Sequence, residues 1–179
     1  MLRKFGIIAV LSLLALALAA VPALAVTTFN SNTAPSGAHY RQGSSEPVCT
    51  PSTDPNTGAL TVSCTGTTIG GVGNTPANLL LTINADANFT CSNPGSKRMV
   101  VEPHSGAVGE TDQATLTPSR NGQLIVDARS VTLTPQEAGA QFECPNENWR
   151  ENFVGFSDPT FSYSLTFVGF NQPAILITG

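Results

Sequence analysis

Charged residues are scarce in this sequence, and their scarcity argues against several classes of protein. Asp, Glu, Lys and Arg make up 11% of the 179 residues, less than half of the usual fraction of about 25%. Twelve acidic residues outnumber eight basic ones and give a net charge of −4, so the chain lacks the basic excess that non-specific nucleic-acid binding requires. A hydrophobic fraction of 41% also argues against a disordered acidic tail.

Beyond its first 25 residues, the sequence has no apolar run that approaches the length of a membrane span. Arg3 and Lys4 precede an uncharged stretch over Phe5–Val21, and Ala23-Leu24-Ala25 provides a small-x-small cleavage site after a helix-breaking proline. The stretch approaches the roughly 20 residues of a membrane anchor, but the proline and the cleavage site favour a signal peptide over residues 1–25. We therefore predict a secreted, extracellular mature chain that begins at Val26 and has no stable membrane insertion.

Only four cysteines are present, and their even number in an exported chain indicates two disulfides. The sequence alone leaves three connectivities open, and we favour Cys49–Cys64 together with Cys91–Cys144. The first bridge would close a hairpin whose turn is Asp54-Pro55-Asn56-Thr57-Gly58. A zinc site is disfavoured because the chain has no Cys-x-x-Cys pair and only two histidines.

The strongest periodic signal lies between Leu79 and Cys91. Apolar or small residues occupy every odd position of this segment, whereas all the even positions except Leu80 are polar. A period of two is typical of a strand with one buried face. The pattern predicts one long strand, or two strands that bend at Ala85 to Ala87.

Shorter segments of alternating polarity predict the remaining strands. Turn residues recur about every 8–12 positions, as in all-β sandwiches, and Thr134 to Ala140 is the one segment suited to a helical turn. We predict an all-β protein, a single disulfide-stabilised antiparallel β-sandwich of immunoglobulin-like type over residues 48–179, preceded by an extended leader over residues 26–47. The seven or eight strands include segments at 60–64, 99–101, 114–116, 124–133, 161–167 and 174–178.

The segment Cys144-Pro145-Asn146-Glu147-Asn148-Trp149 predicts a tight, ordered turn that carries the single tryptophan. Trp149 has two interpretations. It is either a candidate ligand platform on which a sugar ring stacks, or a core residue packed near the Cys144 disulfide, as in immunoglobulin-type domains. Because apolar strand residues lie nearby in the sequence, we favour burial.

Two short motifs also resemble those of a known group of proteins. Cys91-Ser92-Asn93-Pro94-Gly95 and the later Cys144-Pro145-Asn146-Glu147-Asn148-Trp149 are similar, in sequence and order, to motifs of small secreted actinobacterial proteins. The resemblance covers roughly Gly58 to the C-terminus and departs from the group at Ser96-Lys97-Arg98, where other members are rich in Gly, Pro and Asn. It implies a secreted β-rich fold and transfers no catalytic residue.

No segment of the sequence has the pattern of a catalytic or metal site. His104, in Glu102-Pro103-His104-Ser105-Gly106, has an acid and a hydroxyl nearby, but triads combine distant segments and no Gly-x-Ser-x-Gly elbow is present. His39 falls in the predicted leader. The turn at residues 54–58 lacks the twelve-residue calcium pattern, and we interpret the sequon Asn88-Phe89-Thr90 as strand sequence. We predict no catalytic residue, no metal and no cofactor.

These observations favour a secreted or cell-surface protein with a structural or binding role, for which a cell-wall or surface glycan or a protein is the expected partner. The alternative is a small extracellular hydrolase or inhibitor that acts on wall polymers or peptides. Such an enzyme would need His104 or two carboxylates to converge in a concave site. A third hypothesis is assembly, in which the leader or the strand at 174–178 pairs with a neighbouring subunit. We favour a disordered leader and pairing of that strand within its own sheet.

Overall fold

The structure is a computed structural model that describes residues 29–93, 95, 101–144 and 148–179 of the chain. The predicted signal peptide, most of the predicted strand at 99–101 and the centre of the Cys144–Trp149 turn therefore lie outside the described residues. Within those residues there are ten strands, one short α-helix and one 3-10 helix. The elements are a 3-10 helix (Ser31–Thr33), β1 (His39–Tyr40), β2 (Cys49–Thr53), β3 (Leu60–Cys64), β4 (Thr67–Gly70), β5 (Ala77–Ser92), β6 (Val101–Leu116), β7 (Leu124–Val126), β8 (Arg129–Leu133), α1 (Pro135–Gly139), β9 (Arg150–Phe167) and β10 (Ile175–Thr178).

The described strands form three sheets in which every pair is antiparallel, so the predicted all-β class is confirmed. A four-stranded sheet has the order β10-β9-β5-β6, and two three-stranded sheets have the orders β1-β4-β7 and β2-β3-β8. The prediction counted seven or eight strands. One reason for the difference is that β3 and β4, and likewise β7 and β8, follow each other after two residues.

The long strand predicted from the period of two is confirmed as β5, which runs for 16 residues through the centre of the four-stranded sheet. Its odd-numbered side chains from Ala77 to Cys91 are all buried, whereas its even-numbered side chains from Asn78 to Asp86 are exposed or half-buried. The sheet therefore has an inner face, which contributes to the core, and an outer face.

The pairing between β5 and β9 divides the four-stranded sheet into two halves. From Ala77 to Asn84 the ladder with β9 has no interruption, and we call this part the regular half. From Ala85 to Ser92 the register shifts twice, between Asn84 and Asp86 and again between Asn88 and Phe89. Each shift inserts one extra residue into β9, which is the definition of a β-bulge. We call this part, with the paired residues of β6 and β9, the bulged half.

The short junction between β3 and β4 meets the junction between β7 and β8 at Gly66. A β-carbon on Gly66 would lie 2.7 Å from the backbone oxygen of Val126. Such a distance is far below ordinary van der Waals contact, so the chain between β3 and β4 approaches the chain between β7 and β8 closely. The close approach requires glycine at this position.

One cluster of buried residues joins all three sheets. It includes Val62 and Leu133 of one three-stranded sheet, Ile69 of the other, and Leu81 and Leu165 of the four-stranded sheet. Because apolar burial is the main favourable contribution to folding, this shared core is what holds the sheets against one another.

The segment predicted as a leader contributes to this architecture from Phe29 onwards. Tyr40 lies in β1, which pairs with β4, and Ala34 and Ala38 are buried in the core. The backbone N–H of Asn30 donates to the oxygen of Ala174, next to β10. The favoured prediction of a disordered leader is therefore wrong for residues 29–47, which pack on the strands. Their composition lacks the sustained period on which a strand prediction depends.

The other local predictions of structure have clear outcomes. The helical turn predicted at Thr134 is confirmed as α1, with Thr134 as N-cap, Pro135 at its first position and a capping box completed by Glu137. The C-terminal strand pairs with β9 within its own sheet, as favoured. No helix in the described part of the chain is long and apolar enough to cross a membrane.

Candidate functional site

Both predicted disulfides are confirmed, and each has a different structural setting. Cys49 and Cys64 are directly paired residues of β2 and β3, so their bond closes the predicted hairpin. Cys91, near the end of β5 in the bulged half, is bonded to Cys144, with a Cα–Cα distance of 5.8 Å. The second bond ties the segment after α1 to the four-stranded sheet.

His104 has no local triad partner in Ser105. Both residues lie in β6, where His104 is paired with Phe89 and Ser105 is paired with Asn88. Successive side chains of a strand point to opposite faces of the sheet, so the imidazole lies on the inner face and the hydroxyl on the outer face. The His104 ring is half-buried and lies 5.5 Å from the ring of Phe142. The residues that the sequence places side by side are therefore separated by the sheet.

A cluster of phenylalanine rings fills the inner face of the bulged half. Phe89 stacks on Phe142 with a centroid distance of 4.8 Å, and it also meets Phe153 edge-on at 5.5 Å. Phe153 meets Phe156 at 4.8 Å. Edge-on and stacked contacts of this kind are the favourable arrangements for aromatic pairs.

This cluster has the role that the sequence assigned to Trp149. Phe89 lies two residues before Cys91 in β5, and Phe142 lies two residues before Cys144 in the segment after α1, so each ring of the stacked pair adjoins one cysteine of the disulfide. Trp149 is half-buried and is not among the buried core residues. The favoured prediction of a buried core tryptophan is therefore wrong. Phe89 is the buried ring near the disulfide, and half-buried Phe142 packs against it.

The hairpin turn at Asp54 is stabilised by its own side chain. One carboxylate oxygen of Asp54 accepts hydrogen bonds from the backbone N–H groups of Asn56, at 2.8 Å, and Thr57, at 3.4 Å. These bonds favour the ionised form and lower the pKa of the carboxyl group. A turn closed by an aspartate in this way needs no cation, and the described residues contain no group of three or more His, Cys, Asp or Glu that could hold a metal ion.

The sequon residue Asn88 lies inside β5, so its interpretation as strand sequence is confirmed. Its side-chain amide donates to the hydroxyl oxygen of Ser157 across the sheet, at 3.0 Å. The side chain is half-buried and makes cross-strand contacts.

A small polar group lies at the margin of the core, near the junction between β7 and β8, where the side chains of Asp112 and Arg129 are each 29% exposed. The guanidinium of Arg129 lies 3.5 Å from the carboxylate of Asp112, which is in the edge strand β6. Tyr163 is 1% exposed. Burial raises its pKa to about 12, although the nearby positive charge of Arg129 acts in the opposite direction. These residues link β6, β8 and β9.

The outer face of the four-stranded sheet is large, polar and almost uncharged. We define the outer face as seven residues of β5 and the residues paired with each of them in β6 and β9. Hydroxyl or amide side chains occupy five of the seven positions in β5, four in β6 and six in β9, and Asp86 is the one charged residue in this set. The β5 residues of the outer face are Asn78, Leu80, Thr82, Asn84, Asp86, Asn88 and Thr90.

Several side chains of the outer face are held by cross-strand hydrogen bonds. The hydroxyl group of Thr115 donates to the amide oxygen of Asn78 at 3.0 Å, and the hydroxyl oxygens of Thr82 and Thr111 lie 3.3 Å apart. Because neighbouring strands are about 4.8 Å apart and alternate residues of a strand about 6.8 Å apart, the polar groups form a regular two-dimensional array.

The outer face contains a shallow groove of about 560 Å³ in the regular half. Leu80 is 40% exposed and provides an apolar patch in the groove. The polar residues that line it are Asn78, Gln113, Thr115, Ser164 and Thr166. An apolar patch with amide and hydroxyl groups around it is a common composition for a small-ligand site.

A second concave region, which we call the edge cleft, lies between the 54–58 turn and the bulged part of β9. Its volume is about 420 Å³, and Phe153, Val154, Phe156 and Pro159 line one side of it. Val154 is the residue inserted by one bulge, and it is 66% exposed.

Neither concave region was predicted from the sequence. The polar even positions of β5 were visible in the sequence, but the groove also needs β6 and β9 in a defined register. In β6 the alternation of Thr111, Gln113 and Thr115 with Asp112 and Ala114 was a usable signal for the strand. The edge cleft depends on two bulges, for which Gly155 and Pro159 within the strand were the available but weaker signal.

Comparison of the chain with models of protein families, with curated proteins and with solved structures gave no match.

Proposed function

We propose that this chain is an exported β-sandwich protein of immunoglobulin-like type that acts at the cell surface by binding and not by catalysis. The formed disulfides support export, since such bonds persist in oxidising compartments. The sandwich assignment is supported by the core shared between the four-stranded sheet and the two smaller sheets. In this proposal the smaller sheets form a single bent layer. The resemblance to small secreted actinobacterial proteins is part of the same proposal.

We propose further that the outer face binds a neutral glycan of the cell wall or cell surface. The observation that carries the proposal is the uncharged, hydroxyl- and amide-rich array with its groove at Leu80. Neutral polysaccharides present repeated hydroxyl groups, which exchange hydrogen bonds with Ser, Thr, Asn and Gln side chains. An acidic polymer or a nucleic acid would instead require basic side chains, and the outer face has none.

The groove provides both contributions that a sugar ring needs. The exposed apolar surface of Leu80 can cover the C–H face of a sugar ring, which removes apolar surface from water. The amides of Asn78 and Gln113 and the hydroxyl groups of Thr115 and Ser164 surround that patch. Cross-strand hydrogen bonds, such as the one from Thr115 to Asn78, already restrict these side chains in the unliganded protein. They therefore reduce the entropic cost of binding.

The experiment is co-sedimentation of the mature protein with an insoluble cell-wall preparation and with insoluble neutral β-glucan. The test variant is Thr115→Val with Thr166→Val, which removes two hydroxyl groups from the groove. The matched control is Thr61→Val with Thr132→Val, because these hydroxyl groups form a cross-strand pair at 2.9 Å on the second layer. Both variants replace one exposed and one half-buried threonine.

We expect the groove variant to bind about tenfold more weakly, since two hydrogen bonds of about 1 kcal/mol each are lost in part. The control should bind within about twofold of the original protein. Equal weakening of both variants, or binding that disappears at moderate salt, would contradict the proposal. Trp149→Ala tests the earlier alternative, because loss of glycan binding in that variant alone would move the site to the tryptophan.

A further inference from the structure

The edge cleft lies beside a part of β9 that no other described strand covers. β10 pairs with β9 between Ser162 and Leu165, and the next residue, Gly179, exchanges backbone hydrogen bonds with Phe161. The other neighbour, β5, occupies the opposite side of β9. From Arg150 to Pro159, β9 therefore has no strand partner on this side within the described part of the chain, and we call this its free edge. The neighbouring contact at its start comes from α1, where Gly139 lies beside the side chain of Glu151. A free edge presents unpaired backbone N–H and C=O groups that can accept a further strand.

The two bulges shape this edge. The first places Asp158 and Pro159 opposite the single residue Ala85, and the second inserts Val154 between Gly155 and Phe153. Asp158 has a φ of 49°, the one positive value at a non-glycine residue in the described chain. This left-handed conformation is unfavourable for most side chains. Bulges are common beside binding sites, where they redirect a side chain.

The lining of the edge cleft combines apolar surface with negative charge. Val154 is the most exposed large apolar side chain of the described residues, at 66%. The rings of Phe153 and Phe156 are half-buried beside it. The residues that line the cleft include the carboxylate of Asp54 and no basic side chain, and exposed Asp158 adjoins the lining residue Pro159.

We propose that the edge cleft binds an extended peptide segment of another protein, one that alternates apolar and basic side chains. The peptide backbone pairs with the free edge of β9, as in strand addition. Its apolar side chains contact Val154, Phe153 and Phe156, and its basic side chains face Asp54 and Asp158. The proposal is independent of glycan binding, because the edge cleft lies on the inner side of the sheet and the glycan groove on its outer face.

The experiment uses three nine-residue peptides with blocked ends, matched to the nine positions from Glu151 to Pro159. The first alternates Lys and Val, the second replaces each Lys by Glu, and the third is the first with alternate backbone nitrogens methylated. Binding is measured by fluorescence anisotropy of labelled peptides and is mapped by amide chemical shifts of the mature protein. We expect the Lys peptide to bind and to shift the amides of Val154 and Gly155, and the other two to bind at least about tenfold more weakly.

Two pairs of variants separate charge from apolar contact. Asp54→Asn with Asp158→Asn removes both charges, while asparagine keeps the acceptor of the turn and tolerates a positive φ. Its control, Glu110→Gln with Asp127→Asn, removes two exposed charges elsewhere. Val154→Thr tests the apolar contact, with Val168→Thr as its control. We expect roughly fivefold weaker binding in each test variant and no change in either control.

Several results would overturn the proposal. They are equal binding of the Lys and Glu peptides, shifts confined to the outer face, or equal effects of the test and control variants. Shifts of Val154 and Gly155 by a neutral oligosaccharide would assign the cleft to sugar, and a concentration-dependent dimer that protects these amides would assign it to a second copy. The peptide comparison needs only the original protein, so it stands even if a variant fails to fold.

Discussion

In the regular half of the four-stranded sheet, β5 and β9 pair without interruption from Ala77 to Asn84, whereas two bulges interrupt the same two strands in the bulged half. The regular half buries aliphatic side chains such as Leu81 and Leu165 in the shared core. The bulged half relies on the phenylalanine cluster and on the Cys91–Cys144 bond. The comparison indicates that one long sheet is stabilised by layer packing at one end and by a crosslinked aromatic cluster at the other.

The difference between the halves also separates the two proposed sites. The groove around Leu80, which is the proposed glycan site, lies on the regular half. The unbroken ladder there fixes the positions of Thr115, Thr166 and their neighbours. The edge cleft lies on the bulged half, where the inserted residue Val154 leaves the ladder. A rigid array suits a regular polymer, and an irregular free edge suits an added strand.

The largest expected effect is the loss of the Cys91–Cys144 bond. Replacing both cysteines by serine should lower the free energy of unfolding by ~4 kcal/mol, against ~3 kcal/mol for the shorter Cys49–Cys64 loop. Denaturant unfolding measures both values. Hydrogen exchange in the first variant should show lost protection in the bulged half while the regular half stays protected. Equal loss of hydrogen-exchange protection in both halves would contradict the proposed difference in how the two halves are stabilised.

The next effect is a cavity in the regular half. Leu81→Ala removes a fully buried side chain from the shared core and should cost roughly 2–5 kcal/mol. Phe153→Ala, in the half-buried part of the aromatic cluster, should cost less although the ring is larger, because part of that ring already faces solvent. Thermal unfolding of the two variants tests this order, and the reverse order would show that the aromatic cluster is the stronger anchor.

Trp149→Ala tests whether the tryptophan contributes to the core of the bulged half. A core tryptophan would lose ~3–5 kcal/mol on truncation, but Trp149 is half-buried and lies outside the core set. We therefore expect a loss of about 1–2 kcal/mol and partial quenching of its fluorescence by iodide. A loss of unfolding free energy above ~3 kcal/mol, with fluorescence shielded from iodide, would show that Trp149 is a core residue.

Tyr163→Phe has the smallest expected effect and concerns the interior of the regular half. The Tyr163 hydroxyl is buried and has no hydrogen-bond partner among the described residues. An unpaired buried hydroxyl costs free energy, so its removal should stabilise the protein by ~1 kcal/mol. A loss of stability would show that the hydroxyl is paired.

The same residue predicts a pH dependence. Burial raises the pKa of Tyr163 to about 12, whereas the phenol of an unfolded chain titrates near 10. Between these pH values the unfolded chain has released a proton that the folded chain retains, so stability falls as pH rises from about 10 to about 12. Tyr163→Phe should make this fall shallower, and an unchanged slope would contradict the assignment.

The regular half was predictable because its inner positions are apolar and its outer positions mostly polar, which is the direct signature of a half-buried strand. The edge strand β6 was less predictable than β5. Most of β6 was missed because its inner face carries Gly106 in the bulged half, and Glu110 and Asp112 in the regular half, instead of apolar residues. Inward charges are typical of edge strands, since they discourage pairing with other chains, and Asp112 is balanced by Arg129.

The candidate sites were less predictable than the fold. The even number of cysteines indicated two disulfides, and the turn at Asp54 favoured the observed pairing among three possible connectivities. The groove requires the register of three strands that are distant in sequence, and the edge cleft requires two bulges in β9. The same register places His104 and Ser105 on opposite faces, which their adjacency in the sequence does not show.

The central functional claim is that the outer face of the regular half is the glycan-binding surface. Its most direct test is an amide chemical-shift titration of the mature protein with a soluble neutral β-glucan hexasaccharide. We expect saturable changes in the amide chemical shifts of Leu80, Gln113 and Ser164. The amide shifts of the paired second-layer residues Thr61 and Thr132 should not change. Shifts that cluster at Trp149, or no saturable shift on the outer face with any neutral glycan of the wall, would contradict it.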